Sequence, residues 1–333
     1  MYHVWRVLCL KIVNEFNLID HITRDFPLFQ SNIVKGIGDD CAVWREGDQL
    51  RVLTTDSMVE GDHFLKDWFT PEQIGHRFLM SNVSDVASMG ATPTFLYISL
   101  VLDDATDSEW VARLYAGMRP ICQKHHISLM GGNITHGQTL SLTATLLGES
   151  PNKVVYRGGA SVGDIVMVTG DVGSACVARL LLKNGKQPPD ELFERLARPT
   201  ARVAEGVFLK DFASSMIDIS DGVASEARHL AMSSQCGVTI NADTIPLHPA
   251  SIAYEGLLSA SLIECALRGG EDYELMFTVS EVNSERLQSE WPFETPLTAI
   301  GTMTLTQEYY LIQSGQTIPL PRGFDHLSEN INL

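Results

Sequence analysis

Two adjacent aspartates follow a pair of glycines in the stretch GIGDDCAVW, residues 36–44. Gly and Asp are common in solvated turns, so this stretch taken alone predicts only a loop. The alternative is a divalent-cation site, because carboxylate oxygens suit a hard cation such as Mg²⁺ and glycine lets the backbone approach a ligand. The other acids of the chain decide between these two interpretations.

Similar acidic motifs recur at predicted strand ends and turns. They are TTDS at 54–57, SDV at 84–86 and DISDG at 218–222. Each acid alone could cap a helix or occupy a turn, and Ser220 or Asp221 could cap the helix predicted after DISDG. Carboxylates that a fold gathers together repel one another and raise each other's pKa values unless cations neutralise them. The repetition therefore favours a site for several cations, to which Thr54 and Thr55 could add oxygen ligands.

Glycine pairs that could hold phosphates occur at 131–132, 158–159 and 269–270. The chain has no GxxxxGK[ST], no GxGxxG after a strand, no GxSxG and no HExxH. These absences argue against a P-loop, a dinucleotide fold, a nucleophile elbow and a zincin site. Arg157, beside the second glycine pair, could hold a phosphate or could be a solvated surface arginine. His63 alone is more often structural than functional.

The composition excludes several classes of protein. Of the 333 residues, 24 are Lys or Arg and 41 are Asp or Glu, which gives a net charge of −17. Such a surface repels nucleic acid and anionic membranes. No apolar run approaches the ~18 residues that a membrane span needs. The six cysteines form no CxxC pair, which argues against a zinc site or a disulfide framework and predicts a reducing, cytoplasmic location.

Strand and helix patterns alternate in both halves and predict an α/β fold. A helix is predicted over 70–90, with Thr70 as its N-cap, Pro71 at its first position and Gly90 just past its end. Strands are predicted over 50–55 and 127–133, among others. The segment 150–164 is rich in Pro, Gly and Ser, and we place a domain junction there. The expected organisation is therefore an extension over 1–13, one domain over 14–150 and a second over 151–333.

Seven stretches together resemble the thiamine-monophosphate kinase family, of the aminoimidazole-ribonucleotide-synthetase-like superfamily. They are GIGDDCAV, TTDSMVEGDHF, NVSDVASMGATP, MGGNITHG, TGDVGSA, MIDISDG and RGGEDYELMF. They occur in the family's order over nearly the whole chain, from about residue 14 to 326. Motifs such as GDD are shared across the superfamily, whereas VEGDHF combined with GGEDYEL is more specific. The resemblance implies a two-domain architecture with mixed sheets, whose N-terminal domain forms a barrel in a homodimer.

The resemblance also implies roles for individual residues. The Mg²⁺ ligands would be Asp40, Thr54, Thr55, Asp56, Asp85, Asp218 and Asp221, with Asn133 standing where the family usually has an aspartate. ATP would contact Gly132, Asn133, Arg157 and Ser220. Thiamine monophosphate would contact His63, Glu271 and Phe324. Asn133 can still offer a carbonyl oxygen but brings no charge, and His136 stands where an arginine is common. One metal site is therefore expected to be weaker than usual.

The implied reaction is ATP plus thiamine monophosphate giving thiamine diphosphate plus ADP. The second pKa of a phosphate is about 6, so the acceptor is already ionised at neutral pH and needs no strong general base. Several Mg²⁺ ions would bring the two polyanions together, with direct in-line transfer and no phosphoenzyme. Two alternatives stay open: another ATP-dependent enzyme of the same superfamily, and a degenerate member that binds metal or nucleotide without catalysis.

Overall fold

A computed structural model gives the fold of residues 15–323. The predicted extension over 1–13 and the predicted substrate contact Phe324 lie outside these residues. Within them, no helix is long and apolar enough to cross a membrane. Helices and strands mix in both halves of the chain, which confirms the predicted α/β class.

The first half of the chain folds around one six-stranded sheet. Its elements are α1 (Glu15–Thr23), β1 (Ile33–Lys35), β2 (Ala42–Glu46), β3 (Gln49–Val59), α2 (Pro71–Ser88), β4 (Thr92–Leu102), α3 (Ser108–His125), β5 (Ser128–His136) and β6 (Ser141–Pro151). The strand order is β1-β2-β3-β6-β4-β5. Only the β4–β5 pair of this sheet is parallel, so β5 forms one edge of a mixed sheet.

The second half folds around a seven-stranded sheet. Its elements are β7 (Ile165–Thr169), α4 (Ser174–Lys183), α5 (Asp190–Ala197), α6 (Val203–Leu209), β8 (Ser215–Asp218), α7 (Val223–Ser233), β9 (Gly237–Asn241), α8 (Pro249–Ile252), α9 (Leu262–Arg268), β10 (Leu275–Val279), α10 (Glu281–Glu290), β11 (Leu297–Thr304), β12 (Tyr309–Gln313) and β13 (Gln316–Pro319). The strand order is β13-β12-β9-β11-β7-β10-β8. The first sheet thus ends with β6 at Pro151 and the second begins with β7 at Ile165, and the domain boundaries stay a prediction.

Helix α2 belongs to the first half of the chain and packs against both halves. Its start follows from local sequence: Thr70 accepts from the Gln73 N–H, the Gln73 side chain accepts from the Thr70 N–H, and Pro71 opens the helix. Its buried residues pack on the core face of the first sheet and against α6 and β8 of the second half. At the α6 contact, a Cβ on Gly206 would lie 2.1 Å from the Ala87 carbonyl oxygen, so only glycine allows this approach.

Three local predictions were wrong in detail. Strand β3 runs to Val59, so Asp56 lies inside a strand and not at its end. The glycines 131–132 continue β5 with a register shift and do not form a turn; a Cβ on Gly132 would lie 1.8 Å from the Ile98 carbonyl oxygen. The N-cap of α7 is Gly222, which makes no side-chain cap, and neither Ser220 nor Asp221 fills that position.

Candidate active site

Five aspartates act on one another electrostatically where α2 meets the second half of the chain. We call Asp40, Asp56, Asp85, Asp218 and Asp221 the aspartate cluster. They come from the β1–β2 loop, the middle of β3, the last turns of α2, the end of β8 and the turn after β8. One of these acids thus lies in mid-strand and another on a helix, and their role as metal ligands stays a prediction.

Hydroxyl groups orient three of these carboxylates. Thr54 Oγ1 donates to Asp85 Oδ2 at 2.6 Å, and Ser84 Oγ donates to Asp218 Oδ2 at 2.6 Å. Ser88 Oγ donates to Asp40 Oδ2. Hydroxyl donors fix the direction of a carboxylate but bring no positive charge, so these contacts leave the repulsion between the aspartates largely uncompensated.

The pKa values report this crowding. Burial, then the charges of Asp218, Asp56 and Asp40, raise the pKa of Asp85 well above its ordinary value. Burial and Asp40 likewise raise the pKa of Asp218 to about 7. Outside the cluster, burial and Asp40 raise the pKa of Asp39 to about 6. An opposite charge placed among these groups would reverse such shifts, so the site favours bound cations.

Arg157 is the cation that the protein itself supplies to this site. Its Nε donates to Asp40 Oδ1 at 2.6 Å, and its backbone N–H donates to Asp39 Oδ1 at 3.1 Å. Burial lowers the pKa of Arg157, but Asp40 and Asp39 outweigh that and raise it. Arg157 is thus a largely buried member of an ion pair rather than a solvated surface arginine.

A cavity of about 360 Å³ opens beside Arg157. Its volume is within the range of small-molecule sites. The residues that line it are Val34, Lys35, Asp39, Tyr156, Gly158 and Ser233. The cavity thus offers one apolar side chain, a tyrosine ring, a lysine and polar groups next to the acidic site, an arrangement that could receive a phosphorylated ligand with a flat ring.

The donor set fits Mg²⁺ bound together with a phosphate ligand. Over residues 15–323, no three acidic, His or Cys side chains converge closely enough to hold an ion unaided. Mg²⁺ does not need such a cage, because it is usually held by one or two carboxylates, water and substrate phosphates. A buried group of aspartates with one arginine among them matches that requirement better than it matches a closed structural metal site.

The loop 269–274, which we call the GGEDYE loop, is fastened to the turn after β8. The Glu271 N–H donates to the Ser220 carbonyl oxygen at 2.8 Å, and the Tyr273 N–H donates to the Ile219 carbonyl oxygen at 2.9 Å. A Cβ on Gly270 would lie 2.1 Å from the Ser220 carbonyl oxygen, so the approach requires glycine there. These contacts place Glu271 beside the aspartate cluster, where it pairs with Arg77.

Four of the residues predicted for the site lie elsewhere on the first sheet. Thr55 is on the face of β3 opposite to Thr54 and hydrogen bonds the Ala144 carbonyl oxygen at 2.9 Å. Gly132 and Asn133 are on edge strand β5, three strands away from β3. His63 follows the end of β3, and its Nδ1 accepts from the Val59 N–H at 3.3 Å. The roles predicted for these residues stay predictions.

Sequence reasoning missed several groups that shape the site. Ser84, Ser88 and Arg77 lie on the same side of α2 as Asp85, at helical spacings that could have revealed them. Glu226 accepts from the N–H groups of Ser220 and Asp221, at 3.0 and 2.7 Å, and so holds the turn after β8. No local pattern indicates that role, because a glutamate in a helical sequence normally predicts a solvent-exposed position.

Comparison with known proteins gives a consistent result. Residues 38–150 match the family model of the AIR synthase related protein, N-terminal domain. Thiamine-monophosphate kinase of Escherichia coli K12 is 34% identical over 324 residues, which covers 94% of this chain and 98% of that protein. This chain belongs to the thiamine-monophosphate kinase family. The resemblance expected from the seven sequence stretches is thereby confirmed.

Solved structures of the family share the fold. AaThiL complexed with AMPPCP and TMP has a TM-score of 0.84 and 32% identity, covering 95% of this chain and 98% of that one. Thiamine-monophosphate kinase from Stenotrophomonas maltophilia K279a has a TM-score of 0.74 and 33% identity, covering 89% and 96%. The predicted aminoimidazole-ribonucleotide-synthetase-like architecture is therefore confirmed for the single chain.

Proposed function

We propose that this protein transfers the γ-phosphoryl group of ATP to thiamine monophosphate and forms thiamine diphosphate and ADP. The observation that carries the proposal is the aspartate cluster, whose members repel one another and of which Asp40 and Asp218 are buried. The neighbouring Asp39 lines a ligand-sized cavity beside Arg157. Polyphosphate substrates with their cations would neutralise such a site. The family's named activity provides the two substrates that suit it.

The chain's own residues would do the positioning in this reaction. Asp40, Asp56, Asp85, Asp218 and Asp221, with Thr54, would hold Mg²⁺, which when bound would neutralise and bridge the phosphates of both substrates. The acceptor phosphate is ionised at neutral pH because its second pKa is about 6, so no side chain has to remove a proton from it. The proposal is therefore direct in-line transfer without a phosphoenzyme.

ATP is proposed to enter by the cavity beside Arg157. Arg157 would bind a phosphate oxygen once the incoming cations weaken its pairing with Asp40. Ser220, the other proposed ATP contact, lies on the same turn as Asp218 and Asp221. Glu271 is proposed to contact the thiamine moiety from the fastened GGEDYE loop, with His63 as a second contact. ATP as a substrate and five free cysteines among the described residues favour the cytoplasmic location, which we keep as part of the proposal.

We propose a homodimer in which the outer face of the first sheet is covered by a second copy. Large apolar side chains of β4 are exposed on this face, among them Phe95 at 40% and Tyr97 at 49%. Monomeric proteins seldom expose so many neighbouring apolar groups. Thr55 of β3 and Asn133 of β5 lie on the same outer face. Their strands are separated by about 14 Å, three times the spacing between neighbouring strands. A second copy could bring Asn133 and Gly132 to the site of its partner.

The dimer is tested by placing a charge on that face. Tyr97→Asp should shift the mass measured by light scattering from dimer to monomer, because it buries a carboxylate in an apolar interface. Val282→Asp is the matched control, since Val282 is 79% exposed on α10. A wild-type protein that is monomeric at micromolar concentration would contradict the proposal.

The function is tested by incubating the purified protein with ATP, Mg²⁺ and thiamine monophosphate and separating the products by chromatography. Thiamine diphosphate and ADP in equal amounts support the proposal. No thiamine diphosphate, with ATP still bound, contradicts it and leaves the superfamily's other ATP-dependent reactions. Product formed only by an Asn133→Asp variant would identify the natural chain as a degenerate member.

A further inference from the structure

Arg77, in the second turn of α2, is an arginine with only 1% of its surface exposed. Its Nη2 donates to Glu271 Oε1, 194 residues along the chain. Its Nε has no hydrogen-bond partner among the described residues. A buried cation is costly unless it is well paired, and replacing such pairs by apolar side chains often leaves stability unchanged or improved. Stability alone therefore does not explain this arginine.

The surroundings of Arg77 restrict it to one orientation. Its guanidinium carbon lies 4.7 Å from the centre of the Phe69 ring, so the ring and the Glu271 carboxylate hold the guanidinium between them. Phe69 is itself fixed, because its ring stacks on Phe193 of α5 with centroids 6.0 Å apart. The planar fork of an arginine uses such a setting to direct a carboxylate, which the point charge of a lysine does not.

Glu271 is the one acid of the GGEDYE loop at the edge of the aspartate cluster. Its backbone has φ of 62°, a conformation that a non-glycine residue rarely adopts. Its side chain keeps 23% of its surface exposed while its backbone is fastened to Ser220. Asp56 and Asp218 both act electrostatically on the adjacent Tyr273, so this loop lies close to the aspartate cluster. The carboxylate of Glu271 contacts the Arg77 guanidinium there.

We propose that Arg77 is a positioning residue for the acceptor substrate. It holds the Glu271 carboxylate in the direction from which it can receive an N–H-donating or cationic group. The aminopyrimidine and the thiazolium ring of thiamine monophosphate are such groups. The inference rests on the proposed function, in which Glu271 contacts the substrate. It adds that the buried Arg77 fixes the orientation of Glu271.

The experiment compares the binding of thiamine monophosphate and of ATP in four variants. The dissociation constant of thiamine monophosphate is measured by calorimetry, and KM is measured for both substrates. The variants are Arg77→Met, Arg77→Lys, Glu271→Gln and the double variant Arg77→Met with Glu271→Gln. The matched control is Arg113→Met, which breaks a pair with Glu72 of α2 through an arginine that is 48% exposed. Circular dichroism and the melting temperature of each variant report its folding.

If Arg77 positions the acceptor substrate, its loss should weaken the binding of thiamine monophosphate much more than that of ATP. Arg77→Met should weaken thiamine monophosphate about tenfold in both Kd and KM, while KM for ATP changes less than about threefold. Arg77→Lys should recover part of the loss. The double variant should bind no worse than Glu271→Gln, because Arg77 acts through Glu271 and the two effects are then not additive. Arg113→Met should leave both substrates unchanged.

Other results overturn the inference. Unchanged thiamine monophosphate binding in Arg77→Met, an equal rise in KM for both substrates, or losses that multiply in the double variant would each show a merely structural arginine. If Arg77→Met does not fold, Arg77→Lys and the double variant decide, because neither leaves Glu271 facing an apolar replacement. A wild-type protein that does not bind thiamine monophosphate would instead refute the proposed function, and the Arg77 inference with it.

Discussion

The aspartate cluster and the GGEDYE loop both bury carboxylates, but they treat the charge differently. In the loop, the buried acids accept hydrogen bonds from an arginine or from the backbone, although burial still raises the pKa of both Glu274 and Asp272. Glu274 accepts from Arg202 Nε at 2.7 Å and from Thr169 Oγ1 at 2.6 Å, and Asp272 accepts from the Gly173 N–H at 2.7 Å at the start of α4. In the cluster, hydroxyls orient three of the five acids, and the Arg157 side chain pairs with one of them, Asp40.

This difference separates structural acids from functional ones. A buried carboxylate that the protein itself neutralises holds the fold together. A buried carboxylate that the protein leaves among others of the same sign stores unfavourable energy that only an added cation can relieve. Composition cannot make this distinction, since both regions are acidic. The contrast predicts opposite effects on stability when acids of the two regions are neutralised.

The largest effect is expected for Glu274→Gln. This change removes the hydrogen-bonded carboxylate of the largely buried Arg202 and leaves it the longer contact to Glu205 at 3.6 Å, so we expect it to destabilise the protein by about 3–5 kcal/mol. Urea unfolding followed by circular dichroism measures the loss. Glu194→Gln is the control, because its pair with Arg198 is about half exposed and spans 3.5 Å. An unchanged urea midpoint in Glu274→Gln would show that this loop is not held by its arginine.

Asp85→Asn should change stability in the opposite direction. The folded-state pKa of Asp85 lies above its ordinary value of 3.8, so this carboxyl costs stability at neutral pH. In EDTA we expect the variant to be more stable than the wild type, because the amide removes a charge that burial and the neighbouring aspartates disfavour. Thiamine diphosphate formation should fall at least about 100-fold, the upper end of the range for groups that support a metal.

The stability gained in Asp85→Asn should depend on pH. As the pH falls toward 4, Asp85 becomes protonated in the unfolded chain as well as in the folded one, so the advantage of the variant should disappear. Unfolding measured at pH 7 and at pH 4 in EDTA tests this. An Asp85→Asn protein that is less stable than wild type at pH 7 would mean that the cluster is compensated after all.

Added Mg²⁺ should stabilise the wild-type protein through the cluster. At ten times its dissociation constant, a ligand that binds only the folded state contributes about 1.4 kcal/mol, which corresponds to a few degrees in melting temperature. The shift should shrink in Asp85→Asn and persist in Glu274→Gln. Equal shifts in all three proteins would show that Mg²⁺ acts by general screening of the net charge of −17.

The sequence predicted what depends on neighbouring residues. Thr70, Pro71 and Gly90 delimit α2 because capping is local, and the structure confirms them. Strand alternation also separates Thr55 from Thr54 and Asp56, although the motif TTDS groups all three as ligands. The contacts from Ser84 to Asp218 and from Arg77 to Glu271 span 134 and 194 residues. Only tertiary packing brings such partners together, so no local pattern could indicate them.

The smallest effect is expected at Asn133, where the family's usual aspartate is absent. Asn133→Asp adds one carboxylate to the outer face of β5, which the proposed second copy would bring to the site. If that is correct, a charged ligand replaces a neutral oxygen and half-maximal activity should need less Mg²⁺ by a few-fold, since coordination by carboxylate is stronger. Activity measured against Mg²⁺ concentration tests this.

Asn283→Asp, in the first turn of α10, adds the same charge outside the site and is the control. A lower Mg²⁺ requirement in Asn133→Asp alone would place this edge strand within the reach of the aspartate cluster. A single chain separates the two by three strands, so that result would also require the second copy. If the requirement is unchanged in a protein shown to be dimeric, Asn133 is not a metal ligand, and the cluster binds its cations without help from β5.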